Sequence, residues 1–185
     1  MKMLLGQEEV KPDKPDGTGK TPLWYAAGHG HQEVVKILLG RKEVTPDKPD
    51  NLGRTPLAHA ARDGRDEVVK ILLGRKEVTP DRPDNEGRTP LFYAAVYGHE
   101  EVVKILLGRE GVTPDRPDNE GRTPLFHAAV DGHEEMVKIL LGREEVTPHR
   151  PDGQGITPLM CAVSRGHKKV IALFQAYELP TTSPT

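Results

Sequence analysis

Histidine and cysteine are the residues of this chain best suited to metal binding or nucleophilic chemistry. The closest histidine pair, His29 and His31, has no cysteine or carboxylate cluster near it at the spacing that a metal site needs. Cys161 and His167 could serve as nucleophile and base, but no sequence that would form an oxyanion site accompanies them. We therefore expect no metal site, no cofactor and no catalytic centre, and we look for function in binding.

An internal repeat of 34 residues explains where most of the histidines lie. One repeated position that follows a glycine holds His31, His99, His133 and His167. The segments 85–118 and 119–152 differ only at the pairs Tyr93/His127, Tyr97/Asp131, Val102/Met136, Gly111/Glu145 and Asp115/His149. Stacked copies bury apolar residues between neighbours and display rows of corresponding side chains. Function is therefore expected on a surface made of such rows.

The composition agrees with a solenoid and argues against two classes of partner. Only 35% of the 185 residues are hydrophobic and 4% are aromatic, which is little for a single compact core. The 26 basic and 28 acidic residues nearly balance, so neither nucleic acid nor a membrane surface is indicated. No apolar run approaches the roughly 18 residues of a membrane span, and no signal peptide is evident. With Cys161 as the single cysteine, we expect an intracellular, cytoplasmic protein.

The unit 51–84 shows how each copy is expected to begin. Thr55 followed by Pro56 predicts a helix start, because the threonine hydroxyl can cap backbone N–H groups and proline is tolerated at the first helical position. Ala60 and Ala61 indicate that neighbouring helices approach closely. Gly64 is expected to end this first helix in a left-handed conformation.

The rest of the unit predicts a second helix and an extended connector. Residues 66–73 carry valine, isoleucine and leucine at the spacing of a buried helix face, and Gly74 follows them. Pro80 and Pro83 then fix an extended segment that ends in a turn near Gly87. Each unit is therefore predicted to be a helix, a turn, a second helix and a long, ordered finger.

These residues resemble the ankyrin repeat. The motif Gly-x-Thr-Pro-Leu-x-x-Ala-Ala-x-x-Gly-His occurs at 87–99 and at 121–133, followed by Glu-Val-Val-Lys-Ile-Leu-Leu as at 101–107. The resemblance implies an all-α ankyrin-repeat solenoid of paired antiparallel helices with long β-turn-like fingers. In place of the histidine that the family carries after Thr-Pro-Leu stand Trp24, Ala58, Phe92, Phe126 and Met160. This departure calls into question the hydrogen bonds that such a histidine makes between repeats.

A narrower resemblance concerns the connector. The run Leu-Leu-Gly-Arg-x-x-Val-Thr-Pro-Asp-x-Pro-Asp, within a unit one residue longer than the common repeat, is similar to ankyrin arrays of fungal receptor-like proteins of the NOD-like kind. No phosphate-binding loop accompanies it, since residues 17–20 have the wrong spacing for one.

The repeat also sets the expected organisation. We predict five stacked repeats at 17–50, 51–84, 85–118, 119–152 and 153–178. Residues 1–16 are expected to be an incomplete N-terminal repeat, either cut from a longer array or acting as a cap, and residues 179–185 a disordered polar tail. The near-identical copies are consistent both with recent duplication and with consensus design.

Two positions of the first helix change between copies and lie four residues apart, hence on one face. They are rich in residue types that serve in recognition. In the ankyrin fold this face lines the concave groove, so the resemblance implies a partner-binding surface. The predicted binding residues are Tyr25, His29, His59, Arg62, Asp63, Tyr93, Tyr97, His127, Asp131 and Arg165. Neutral drift at exposed sites is the alternative interpretation.

Two further rows allow more than one interpretation. Trp24, Phe92 and Phe126 either pack between units or project into the groove, and packing is favoured. Basic rows such as Arg54, Arg88 and Arg122 run beside acidic rows, which indicates paired, solvated ladders rather than a nucleic-acid track. The sequence thus predicts a monomeric, non-catalytic module that binds a protein. The alternatives are a passive spacer or sensor array of a larger fungal receptor-like protein, and nucleic-acid binding.

Overall fold

The computed structural model describes residues 11–178, which form five successive helix pairs. Within this range helices, turns and extended connectors are found and no β-strand, so the all-α fold class is confirmed. The first helices of the pairs are α1 (Pro22–Gly28), α3 (Pro56–Arg62), α5 (Pro90–Val96), α7 (Pro124–Asp131) and α9 (Pro158–Arg165). The second helices are α2 (Gln32–Leu39), α4 (Asp66–Leu73), α6 (Glu100–Leu107), α8 (Glu134–Leu141) and α10 (Lys168–Glu178).

Threonine and proline start every first helix, as the sequence predicts. The Thr55 hydroxyl accepts a hydrogen bond from the Ala58 N–H at 3.1 Å, and Pro56 occupies the first helical position. The equivalent threonines of the other four units cap their helices in the same way. Gly64 follows α3 with a φ of +64°, which favours glycine. The predicted second helix at 66–73 coincides with α4.

The core is a continuous row of small and aliphatic side chains that runs along the stack. Ala60 and Ala61 of α3 are fully buried, and so are their counterparts in α5 and α7. These alanines let each first helix pack directly on the next one. Leu72 and its equivalents fill the space between the first and second helices. Each unit therefore completes its core with side chains of its neighbours.

Aromatic side chains at the starts of the first helices are buried between units. Trp24, Phe92 and Phe126 are only 4 to 6% exposed, so the interpretation that they pack between units is confirmed. The Trp24 ring stacks on the His59 ring of the next unit with 3.6 Å between centroids. Phe92 meets the His127 ring edge-on at 4.6 Å. The aromatic residue at the start of one first helix thus packs against the histidine in the first helix of the next unit.

Histidines that follow glycine join the units by hydrogen bonds. In three units the ring Nε2–H donates to a carbonyl oxygen at the end of the preceding unit's first helix, since a carbonyl can only accept. The pairs are His99 with Arg62, His133 with Val96 and His167 with Val130, at 2.8, 3.0 and 2.9 Å. In the second unit Arg65 Nε donates to the Gly28 carbonyl at 2.9 Å instead. These three histidines therefore belong to the framework that joins the units, and inter-unit hydrogen bonds exist although the histidine after Thr-Pro-Leu is replaced.

The fingers are ordered by hydrogen bonds between residues about one repeat apart. The Asn85 N–H donates to the Leu52 carbonyl at 3.0 Å, and the Asn85 side chain donates to the Asn51 carbonyl, 34 residues earlier, at 3.1 Å. Further back in the finger, Arg82 Nη1 lies 3.3 Å from Asp47 Oδ2 of the preceding unit. The predicted stacking of ordered fingers is therefore confirmed.

Two observations complete the fold. Within residues 11–178 no helix is both long and apolar enough to cross a bilayer. The predictions for the disordered tail and for most of the incomplete first repeat concern residues 179–185 and 1–10, which lie outside the described residues.

Candidate partner-binding surface

Two rows of first-helix residues make up the predicted site. We call the first the inner row, and it consists of Tyr25, His59, Tyr93, His127 and Cys161. The second, the helix-end row, consists of His29, Asp63, Tyr97, Asp131 and Arg165. The residues of both rows are brought into register because each first helix packs on the next. The two rows differ sharply in exposure.

The inner row is largely internal. Tyr93 and His59 are 6% and 5% exposed, whereas Tyr25 is 42% exposed. The expectation that this row is displayed is therefore wrong for His59 and Tyr93. The physical reason is that a side chain of the preceding unit covers each ring, Trp24 in the case of His59 and Ala58 in the case of Tyr93.

Both tyrosine hydroxyls of the inner row bond to the protein itself. The Tyr93 hydroxyl donates to Asp84 Oδ2 at 2.6 Å, and the Tyr25 hydroxyl donates to Asp16 Oδ2 at 2.8 Å. In the fourth unit His127 Nε2 lies 3.8 Å from Asp118 Oδ2. These contacts tie the first helix to the base of its own finger. The inner row consequently positions the fingers.

The aspartates at the finger bases are buried, which corrects the expectation of solvated charge ladders. Asp84 Oδ1 accepts the backbone N–H groups of Glu86 and Arg88, both at 2.9 Å, and Oδ2 accepts Arg88 Nε at 3.0 Å. Asp50 and Asp118 repeat this arrangement and are buried like Asp84. Each of these carboxylates closes the turn that makes the fingertip, by accepting two backbone N–H groups.

Burial sets the protonation of the inner row. Desolvation lowers the pKa of His59 to about 4, although Asp63 at 3.6 Å opposes the shift. Desolvation also lowers the pKa of His127. Burial, with the hydrogen bond to Asp84, raises the pKa of Tyr93. The two histidines are therefore neutral at neutral pH.

The helix-end row provides the exposed part of the predicted site. Tyr97 is 55% exposed, and His29, Asp131 and Arg165 are exposed as well. Asp63 is half-buried and pairs with Arg62, whose Nε lies 2.8 Å from Asp63 Oδ1. This row changes from unit to unit while the scaffold beneath it repeats. It therefore presents a particular sequence of side chains rather than a repeated one.

The fingertips add exposed residues that the sequence analysis did not include. Leu52 is 51% exposed at the tip of the second finger. Glu86 and Glu120 occupy the same position in the third and fourth fingers and are exposed. Comparison of the copies would have revealed this position, because it reads Thr18, Leu52, Glu86, Glu120 and Gln154. The signal was present in the sequence but lay outside the helix that the pattern emphasised.

The structure shows where the histidines and the cysteine that were considered for metal binding or catalysis lie. Among residues 11–178, no three histidine, cysteine or acidic side chains are grouped so that they could hold a metal ion. His167 Nε2 donates to the Val130 carbonyl. Burial raises the pKa of the half-buried Cys161 thiol, so the thiol stays protonated at neutral pH.

The stacked helix pairs, the inter-unit hydrogen bonds and the projecting fingers define a repeat solenoid with a display surface. A family model described as "Ankyrin repeats (3 copies)" matches residues 1–84, 42–118, 75–151 and 110–182. The chain belongs to the ankyrin repeat family. No curated protein matches the chain. Ankyrin repeats are in general modules for protein–protein interaction.

Proposed function

We propose that this chain is a non-catalytic recognition module that holds a protein partner in the concave groove between its first helices and its fingertips. One observation carries the proposal: an exposed, non-repeating helix-end row stands on a scaffold whose buried positions repeat. A row such as His29, Asp63, Tyr97, Asp131 and Arg165 offers charge, aromatic surface and hydrogen-bonding groups. The order of these side chains along the row specifies the partner.

The scaffold supports this function because it is pre-ordered. The fingers are joined to one another by backbone and Asn85-type hydrogen bonds, and Tyr25 and Tyr93 of the inner row bond to the aspartates at the bases of their fingers. A surface held in this way loses little conformational entropy when a partner binds. We assign direct contact to Tyr25, Arg62 and the helix-end row. His59, Tyr93 and His127 act from below, by holding the finger bases and helix faces in place.

The test compares two triple variants of the full chain in affinity capture from cell extract, with the captured proteins quantified. The groove variant is Arg62→Ser, Tyr97→Ser and Asp131→Ser, all at half-buried or exposed positions. The matched control is Glu101→Ser, Lys104→Ser and Glu135→Ser, exposed on the second helices. We expect specific partners to be lost from the groove variant alone. Equal capture by both variants and the parent chain would overturn the proposal.

A passive spacer or sensor array within a larger fungal receptor-like protein is the second candidate. The connector sequence favours it, because that sequence resembles the arrays of such proteins. A spacer predicts that no partner depends on the groove residues, so the same capture experiment separates the two functions.

For the recognition module we propose a monomer in the cytoplasm, which accords with the single half-buried Cys161. Nucleic-acid binding would require a steep loss of affinity with added salt.

A further inference from the structure

The tips of the third and fourth fingers each carry two carboxylates and one arginine. In the third finger one guanidinium serves two carboxylates, with Arg88 Nε 3.0 Å from Asp84 Oδ2 and Arg88 Nη1 2.6 Å from Glu86 Oε2. The fourth finger repeats this arrangement with Arg122, Asp118 and Glu120. In the second finger Arg54 has a single carboxylate partner, Asp50, at 2.7 Å. The neighbouring third and fourth fingertips therefore each present a second carboxylate, Glu86 and Glu120, beside the one that the arginine shares at the finger base.

The helix-end row adds one carboxylate, Asp131, in the fourth unit. Asp131 is exposed, and no Lys, Arg or His nitrogen among residues 11–178 forms a salt bridge with it. Its neighbours in the row are Arg165 and the exposed ring of Tyr97, since the first helices α5, α7 and α9 pack on one another in turn. Packed helices are about 10 Å apart, so one ligand side chain can reach both Tyr97 and Asp131. Arg62, on the other side of Tyr97, is already occupied by Asp63.

A combination of aromatic face, carboxylate and half-buried aliphatic surface suits one kind of ligand group. A guanidinium or ammonium is attracted to the face of a tyrosine ring and to a carboxylate. The aliphatic stem of the same side chain packs on apolar surface, which the half-buried Val96 and Val130 supply beside the row. His127 cannot compete as a cation, because burial keeps it neutral. A phosphate backbone would be repelled by the same carboxylates.

We infer that the third and fourth units bind an extended, arginine- or lysine-containing segment of the partner protein. One basic side chain lies over Tyr97 with its charge at Asp131, and another meets the acidic fingertips at Glu86 and Glu120. An extended segment suits this surface because successive side chains then follow the row from unit to unit. This inference rests on the proposed recognition function and specifies the chemistry of its ligand.

The experiment selects peptides from a random nonapeptide library displayed on phage, with the full chain immobilised. The expected result is enrichment of arginine and lysine among the selected peptides. Selected peptides, synthesised with a fluorescent label, should bind Asp131→Asn and Tyr97→Ala about tenfold more weakly in anisotropy titrations. Glu144→Gln is the matched control, since it removes one exposed carboxylate that follows a second helix, and it should leave affinity unchanged. Circular dichroism of each variant verifies the fold.

Three outcomes overturn the inference. They are selection without basic enrichment, selection of no peptide at all, and equal weakening by Asp131→Asn and Glu144→Gln. Peptides of other composition that still lose affinity in the groove triple variant would overturn the basic ligand while leaving the recognition function intact. Failure of the recognition function itself would appear separately, as partner capture that does not depend on the groove.

Discussion

At the scale of single residues, the inner row shows that the side chain at one helix position depends on the size of the residue that the preceding unit packs against it. Where the preceding unit supplies Trp24, the position holds His59, whose ring stacks on the indole, and where it supplies Phe92, the position holds His127, whose ring meets the phenyl ring edge-on. Where it supplies the small Ala58, the position holds the larger Tyr93. Side-chain size is thus balanced between adjacent units. This balance explains variation that a comparison of copies alone would assign to recognition.

The buried His59 makes stability depend on pH. Its pKa is about 4 in the folded protein, against an ordinary value of 6.5. The stabilisation is complete above pH 6.5 and is lost as the pH falls toward 4, because the unfolded chain takes up a proton that the folded protein refuses. The loss amounts to about 3 kcal/mol. Urea unfolding of the parent chain and of His59→Gln between pH 7 and 4 should show a shallower decline for the variant, and parallel declines would contradict the prediction.

Phe92 allows a matched pair of core substitutions. The ring is 5% exposed and packs against Ala58 and Tyr93. Phe92→Ala should lower the free energy of unfolding by about 2 to 4 kcal/mol, since it removes buried apolar surface and leaves a cavity. Met160 occupies the same position in the last unit but is 57% exposed, so Met160→Ala should cost well under about 1 kcal/mol. Equal effects in chemical denaturation would place the Phe92 ring outside the core.

At the scale of elements, the helix-to-helix hydrogen bond of the glycine-following histidine is the most specific link between units. His133 Nε2 donates to the Val96 carbonyl at 3.0 Å. Carbonyl groups in the last turn of a helix have no partner within the helix, so the histidine supplies one at the end of α5. His133→Ala should destabilise the protein by about 1 to 2 kcal/mol and speed amide exchange in α5 and α8. His31, at the same position of the first unit, is exposed and makes no such bond to the described residues, so His31→Ala serves as the control. Similar losses from both variants would refute the role of the bond.

The elements were predictable from sequence to the degree that local chemistry determines them. Thr55, Pro56 and Gly64 start and end α3 through hydrogen bonds and backbone angles that need no distant partner. The burial of Tyr93 and of Asp84 was not predictable in the same way. Each depends on a side chain or a turn brought close by folding, and helical spacing alone gives the face of a residue but not what covers it.

The residues of the predicted site fall into the same two groups, those whose exposure follows from local position and those covered by another unit. Tyr97 and Asp131 end their helices and extend beyond the reach of the next unit, so their exposure follows from position. His59 and Tyr93 lie one turn earlier, where the preceding unit's first helix covers them. The exposed Leu52 lies at a fingertip, outside the helix face on which the binding residues were predicted.

At the scale of the whole molecule, stability should vary along the stack. Helix α9 buries only Pro158 and Ala162 and leaves Val163 exposed, whereas α3 buries six of its seven residues. Amides of α9 and α10 should therefore exchange with solvent faster than those of α5 and α6, because each unit is held mainly by its neighbours. Hydrogen–deuterium exchange with mass spectrometry measures this gradient. Uniform protection along residues 22–178 would show that the array opens only as one cooperative unit.

The bonds between residues one repeat apart also determine how the molecule responds to force. Asn85 and Asn119 connect successive fingers across 34 residues, and successive histidines connect the helices, so the unit interfaces are loaded in series when the ends are pulled. Each unit that ruptures releases about 110 Å of extended chain. Under force the array should therefore lengthen in equal steps. A partner that spans the third and fourth units would raise the force needed to separate those two units alone.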